Sequence, residues 1–529
     1  MTVSTAPQQF LLRRLKGVFK ILIETVSKMV EPILTVISAV LLPFLFVNHI
    51  RVTKTVPSQL LLKQGKPGIF FGFPLKGADR CQFYAGRPMK EEGHILCSGG
   101  PGSGKTQSMV KNTIKTWSGL QVILAIKGDL AAFCKRIARR TGRDIVVFSP
   151  MEQDSGVYYD PFAPVRRDLS NIAGHMWDIA AALIPDNGTK EQTIWVMTAQ
   201  NFLAGALTYY YSRKKSFVEA IDLLSKKPVS DLVGEIMERG GDVAKSFVGA
   251  LQDVPGNVLQ NIGLELNSLA RFCSIPAIRN ALTDTGRGSL DWYAVSASKH
   301  PVMAVLAFPE ASFDQCEPLY RLVINQLIKA LETRSDIYDN PGMLPFLIQL
   351  DEFVRLGKVP AIIHGLSTLR SRGVSFALYI QSMANLESVY DIHGAREIRD
   401  NCAYHVVMNA MDVESQRYLS AMVGTVICPT LSANISATSP EEDSFDCLPT
   451  LNSSIQVGTE RQPAVQPEKF RTLKQVVVAS PYGVFQAGKS LPNIPRPAPA
   501  RQHSVRGASF SVKRNSLRAA KPLCKGGAK

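Results

Sequence analysis

His94-Ile95-Leu96-Cys97-Ser98-Gly99-Gly100-Pro101-Gly102-Ser103-Gly104-Lys105-Thr106 is the stretch on which the fold turns. Its first five residues read as a short buried strand, and the last eight spell G-x-x-x-x-G-K-[ST]. Glycines at that density let the backbone curl so that successive N–H groups point inward at phosphate oxygens. Gln107 to Thr116 can run on as a helix, whose positive N-terminal end adds to the same field. In such a loop the lysine, Lys105, neutralises the β- and γ-phosphates and the hydroxyl of Thr106 ligands Mg2+. Gly99, Gly100, Pro101, Gly102, Ser103, Gly104, Lys105 and Thr106 are therefore the expected binding residues for ATP, within an α/β fold.

A loop that holds phosphate still needs a base that positions water and a second metal contact. Leu344 to Leu350 (LPFLIQL) is an almost wholly apolar run, as a strand buried on both sheet faces should be, and it ends in Asp351-Glu352. Asp351 is expected to hold Mg2+ and Glu352 to polarise the attacking water. Val374 to Ile380 (VSFALYI) reads as another buried strand and ends at Gln381, which is placed to sense the γ-phosphate. Between these strands Arg370 and Arg372 offer two guanidinium groups, one of which can reach a neighbouring subunit's nucleotide if the chain forms a ring; a solvated or DNA-facing loop is the alternative.

At 529 residues the chain holds two to four units of ordinary domain size. Its net charge of +16 favours polyanions, nucleic acid or anionic lipid. Nine cysteines are scattered singly without any C-x-x-C pair, which argues for reduced thiols over a disulfide framework or a zinc site.

Residues Val30 to Val47 (VEPILTVISAVLLPFLFV) form an apolar run that would rise about 27 Å as a helix, enough for a bilayer core. Phe10 to Met29 mixes apolar residues with five basic ones, as an interfacial helix does. A membrane-associated N-terminus, residues 1–55, is expected, with a buried core helix as the alternative; basic residues on both sides leave the topology open. Residues 56–165 and 290–489 carry the strand signals of the nucleotide-binding part, including Pro301 to Phe308. Residues 166–289 carry helical periodicity instead, with Trp195, Met197, Phe202, Leu203 and Leu207, and Ala220, Leu223 and Leu224, on one face. Glu317 to Thr333 shows one apolar stripe of ordinary helix core. Residues 432–456, rich in Ser, Thr and Asn, read as a surface loop. Residues 490–529 are Pro-rich, then basic without one acid, and read as a disordered tail able to bind DNA or anionic lipid.

In this order the motifs resemble the coupling proteins of type IV secretion and conjugation, the TraG/TraD-like membrane ATPases. Gln121 to Pro150, Tyr159-Asp160-Pro161-Phe162, Leu350-Asp351-Glu352-Phe353 with Leu356-Gly357-Lys358-Val359-Pro360, Ile380-Gln381-Ser382, Asp400-Asn401-Cys402, Arg461-Gln462-Pro463 and Pro467 to Leu473 all look like that family's elements, over roughly residues 70 to 490. The resemblance implies a RecA-like ATPase domain with an inserted all-α domain facing the cytoplasm. It also puts Arg370 at a subunit interface and Gln381 at the γ-phosphate. Ala125 stands where the family usually has Asp, and the apolar N-terminal part is shorter than the usual two-helix hairpin.

The combined reading is an ATP hydrolase of the inner membrane, a homo-hexamer with its motor in the cytoplasm. It would couple DNA with its relaxase, or effector proteins, to the components of a type IV secretion channel. An FtsK-like or helicase-like DNA translocase outside secretion, and a non-hydrolysing ATP-dependent substrate receptor, are the rival readings.

Overall fold

The computed structural model describes Lys20 and residues 52–489, apart from residues 127, 153–155, 186–189, 253 and 439–449. The apolar run Val30 to Val47 and the basic tail 490–529 lie outside the described residues. Among the described residues no helix is long and apolar enough to cross a membrane.

Among the described residues there are sixteen strands: β1 (Leu61–Lys63), β2 (Gly68–Gly72), β3 (Phe83–Pro88), β4 (Ile95–Ser98), β5 (Leu120–Ala125), β6 (Asp144–Phe148), β7 (Val157–Tyr158), β8 (Gly288–Ser289), β9 (Val302–Ala307), β10 (Phe346–Leu350), β11 (Val374–Ile380), β12 (Tyr404–Val407), β13 (Thr425–Thr438), β14 (Thr450–Pro463), β15 (Gln475–Ser480) and β16 (Gly483–Gly488). Nine of them form one sheet in the order β16-β15-β12-β4-β11-β10-β5-β9-β6. From β12 to β6 every pairing is parallel, and β15 and β16 extend the sheet antiparallel.

The apolar runs of β4, β5, β9, β10 and β11 are buried along their whole length, because both sheet faces are covered. Alternate residues feed two cores. Val122, Leu124, Ile348 and Leu378 pack on one face with the helices that follow β6 in the chain. Cys97, Ile123, Leu347 and Tyr379 pack on the other with Ile114 and Trp117.

Between β7 and β8 every regular element among the described residues is helical, from Ala163–Arg167 to Pro276–Leu282. The longest helix, Lys190–Ser212, buries Phe202, Leu203 and Leu207, but Trp195 and Met197 are 40% and 49% exposed. The expected single stripe therefore fails at these two positions. β7 and β8 close this stretch with a two-residue parallel ladder, and Tyr158 O accepts from Leu290 N at 2.9 Å beside it. The helix Glu317–Glu332 is buried on nearly every side rather than along one stripe, since Tyr320, Ile324, Leu327 and Leu331 are also covered.

Residues 432–456 correct a further expectation. Residues 432–438 and 450–456 lie in strands, because β13 and β14 pair in continuous register from Thr425↔Pro463 to Thr438↔Thr450. β-Branched residues along both arms favour the ladder, while the Ser and Thr content that suggested a loop is tolerated in strands. A three-stranded sheet, β1-β3-β2, sits beside the main one, with Phe73 N donating to Gly488 O at 2.9 Å.

Candidate active site

β4 ends at Ser98 and the glycine loop follows at the C-terminal edge of the parallel sheet. Gly102 and Gly104 take φ values of 71° and 93°, which side-chain-bearing residues rarely adopt, so the sequence needs glycine there. The loop's rising limb is tied at two points: Gly99 N donates to Ile380 O at 3.1 Å and Gly100 N donates to Asn409 Oδ1 at 2.6 Å. After Gly104 the chain forms one π-helical segment, Lys105–Val110, that runs into the α-helix Lys111–Thr116. A π segment at this place opens the first turn where the ligand's phosphates would sit.

Lys105 is buried, and its Nζ donates to the carbonyls of Gly99 and Gly100, the latter at 3.4 Å. Thr106 Oγ1 donates to Asp351 Oδ2 at 2.8 Å. The two residues expected to hold Mg2+ thus meet, although β10 is not the neighbour of β4. β11 lies between them, and Gln381 at its end stands half-buried on the same edge. This interposed strand puts Gln381 between the phosphate loop and the Asp351-Glu352 pair.

Asp351 is buried, 4% exposed. Glu352 takes a left-handed backbone, φ 59° and ψ 48°, which costs a non-glycine residue about 1 kcal/mol or more and is held by the surrounding turn. That twist reverses the chain at the strand tip. Arg355 Nη1 lies 3.6 Å from Glu352 Oε2 and 3.0 Å from Glu310 Oε1, so the Glu352 carboxylate has a cationic neighbour that spacing gave no means of finding. Burial pushes the Cys97 thiol up to about 12, so the sulfur stays protonated at neutral pH.

The donor set fits Mg-ATP. Ser103 Oγ is buried with no hydrogen-bond partner among the described residues, the loop turns on two left-handed glycines, and a hydroxyl and a carboxylate converge beside it. Thr106 and Asp351 would hold the metal, which would neutralise charge on the phosphates.

Arg370 is elsewhere. It precedes β11, and the seven residues of that strand separate it from Gln381 by roughly 20 Å. At that far edge its Nε donates to Glu92 Oε2 at 2.8 Å, and the Tyr338 hydroxyl donates to the same carboxylate. Partial burial raises the Glu92 carboxyl, and these two hydrogen bonds more than reverse it, leaving it below the usual range. Arg372 donates to the carbonyl of Arg334. Within one subunit neither arginine reaches the phosphate loop.

The fold and this edge define a P-loop NTPase core. Residues 86–480 match the model of the type IV secretion-system coupling protein DNA-binding domain, and the chain belongs to that family. Protein VirD4 of Agrobacterium fabrum is 24% identical over 406 residues, covering 72% of this chain and 56% of that protein. Conjugal transfer protein TraG of Escherichia coli is 22% identical over 352 residues, covering 63% and 55%. The chain thus spans about half the length of the curated relatives it matches. Among solved structures, the plasmid coupling protein TrwB in complex with a non-hydrolysable ATP analogue superposes with a TM-score of 0.59 at 15% identity, over 84% of this chain and 94% of that one. TrwB has also been solved with ADP and Mg2+, at a TM-score of 0.56. At such identity these likenesses show the fold.

Proposed function

We propose that the chain is an ATP-hydrolysing motor that couples DNA with its relaxase, or secreted effector proteins, to a type IV secretion channel. The observation that carries the reading is the contact of Thr106 with Asp351 at 2.8 Å, with Glu352 at the next position on the same sheet edge. The chain's own residues do most of the work. Lys105 moves from its loop carbonyls to the phosphates, Thr106 and Asp351 fix the metal, Glu352 orients and deprotonates water, and Gln381 reads the γ-phosphate from the strand between.

In this reading residues 56–165 and 290–489 form one RecA-like motor, with 166–289 as an inserted all-α domain and 1–55 as an anchor in the bacterial inner membrane. Six copies form a ring in the cytoplasm, which gives Arg370 a neighbour's nucleotide to act on. The net charge of +16 and the basic tail 490–529 favour a polyanionic cargo.

Steady-state ATP hydrolysis with and without single-stranded DNA, compared with Lys105→Ala, tests the proposal. DNA-stimulated turnover that falls by about 10²-fold or more in the variant is expected. Turnover equal in the two proteins would overturn it.

A further inference from the structure

The hydrogen bond from Gly100 N to Asn409 Oδ1, 2.6 Å, joins the phosphate loop to a part of the molecule that the nucleotide chemistry does not use. Asn409 follows β12, whose ladder with β4 continues as Met408 N donates to Ser98 O at 2.9 Å. Three residues on, Asp412 caps the helix Val413–Val423 by accepting from Ser415 N at 2.7 Å. The turn between is closed by Gln416, whose Nε2 donates to Ala410 O at 3.1 Å and to Met411 O at 3.3 Å. Asn409 therefore moves as one body with that helix.

At its far end the helix holds the β13–β14 hairpin by its base. Ser420 Oγ donates to Val465 O at 2.6 Å, and Ala464 N donates to Gly424 O at 2.9 Å, directly before Thr425 and after Pro463. Each arm has 14 residues, roughly 45 Å of strand, and among the described residues β13 and β14 pair only with each other. A small rotation at the base becomes a large displacement along such an arm.

The helix is also pinned to the other tie of the loop. Gly99 N holds Ile380 O, Gln381 and Ser382 follow, and Met383 N, opening the next helix, donates to Ser415 Oγ at 2.8 Å. The limb Gly99-Gly100 carries the two carbonyls that hold Lys105 Nζ. When phosphate takes the ammonium, that limb loses the lysine tie; Ser103 N still donates to Gly100 O at 3.2 Å within the loop, and the ties that lead out of the loop are those to Ile380 and Asn409.

We infer that Asn409 is the positioning residue through which nucleotide at the phosphate loop sets the position of the β13–β14 hairpin. The inference rests on ATP binding at that loop. It makes the hairpin the moving output of the site, and Asn409 acts through Gly100 without touching the reacting atoms.

The test is hydrogen exchange by mass spectrometry on the full chain, with and without saturating Mg2+ and β,γ-imido ATP. Wild type is compared with Asn409→Asp, which keeps the acceptor, and Asn409→Leu, which removes it at similar size. Wild type and Asn409→Asp are expected to show nucleotide-dependent changes in exchange over residues 413–438 and 450–463. Asn409→Leu is expected to bind the analogue about tenfold more weakly and, at saturation, to lose the change in the hairpin. A merely structural side chain would lower Tm in Asn409→Leu and leave the change intact, which would overturn the inference. So would a wild type that binds the analogue with no change at the hairpin. A wild type that binds no better than Lys105→Ala would remove the reading of the site itself.

Discussion

Strands β4 and β11 lie side by side, and their two ends differ in kind. At the C-terminal end, Ser98, the glycine loop and Gln381 share one sheet edge with the Thr106–Asp351 contact, a set of polar groups suited to phosphate and metal. At the N-terminal end most of the polar groups answer one another, although Arg87 Nε and Nη2 have no partner among the described residues. His94 is buried, with Nε2–H donating to Leu366 O at 2.8 Å and Nδ1 accepting from Phe376 N at 3.1 Å. Arg87, fully buried, donates to Gly93 O and Ser375 Oγ at 2.7 and 2.9 Å. Glu92 takes Arg370 and Tyr338. The same two strands thus carry chemistry at one end and cohesion at the other, as parallel sheets in open α/β folds generally do.

The sharpest way to break that division is Arg370. If it serves a neighbour's nucleotide, Arg370→Ala will lower turnover of the assembled ring by at least about 10³-fold, with analogue binding by isolated subunits unchanged. An unchanged ring turnover would confine the far edge to cohesion. At the near edge, Glu352→Gln should lower kcat by about 10³-fold and leave analogue affinity nearly as it was, because the base acts only on water. Equilibrium binding measured beside steady-state kinetics separates the two.

His94 sharpens the comparison from the other side. Burial lowers its pKa from 6.5 to about 4. The unfolded chain therefore binds a proton that the folded chain refuses. Stability from the neutral ring is complete above pH 6.5 and is lost as the pH falls from there to about 4, by about 3 kcal/mol. Urea unfolding across that range should show the loss in wild type and a correspondingly shallower slope in His94→Gln. The smallest effect belongs to Glu92→Gln. Its Arg370 partner is 64% exposed, so the pair contributes under about 1 kcal/mol and less in high salt, readable as a Tm shift of a few degrees at most.

Much of the near edge was legible in sequence because each element announces itself locally. A buried parallel strand must be apolar throughout, and a phosphate loop needs its glycines, lysine and hydroxyl in fixed order. The strands ending at Ser98, Leu350 and Ile380 were readable for that reason. Strand order was not, since β11 enters between β4 and β10 through pairing that no local pattern encodes. Asn409 and Arg355 were equally silent: each is a single polar residue whose meaning comes from a partner distant in sequence or fixed by the turn at the strand tip. The hairpin was misread because Ser and Thr serve loops and strands alike. Trp195 and Met197 misled because apolar spacing marks a face without saying what covers it.

Two residues of parallel ladder, at β7 and β8, hold the ends of the helical stretch together. Because closing a loop costs only about 0.6 kcal/mol for each doubling of its length, the sheet is nearly indifferent to how much chain lies beyond that clasp. Loop closure thus sets little limit on the length of that stretch, but helices such as Ile172–Leu183, which share the sheet's core, have to keep their packing. At the phosphate edge a single substitution changes the chemistry. Changes in the length of the helical stretch and changes at the phosphate edge therefore fall on separate stretches of one gene.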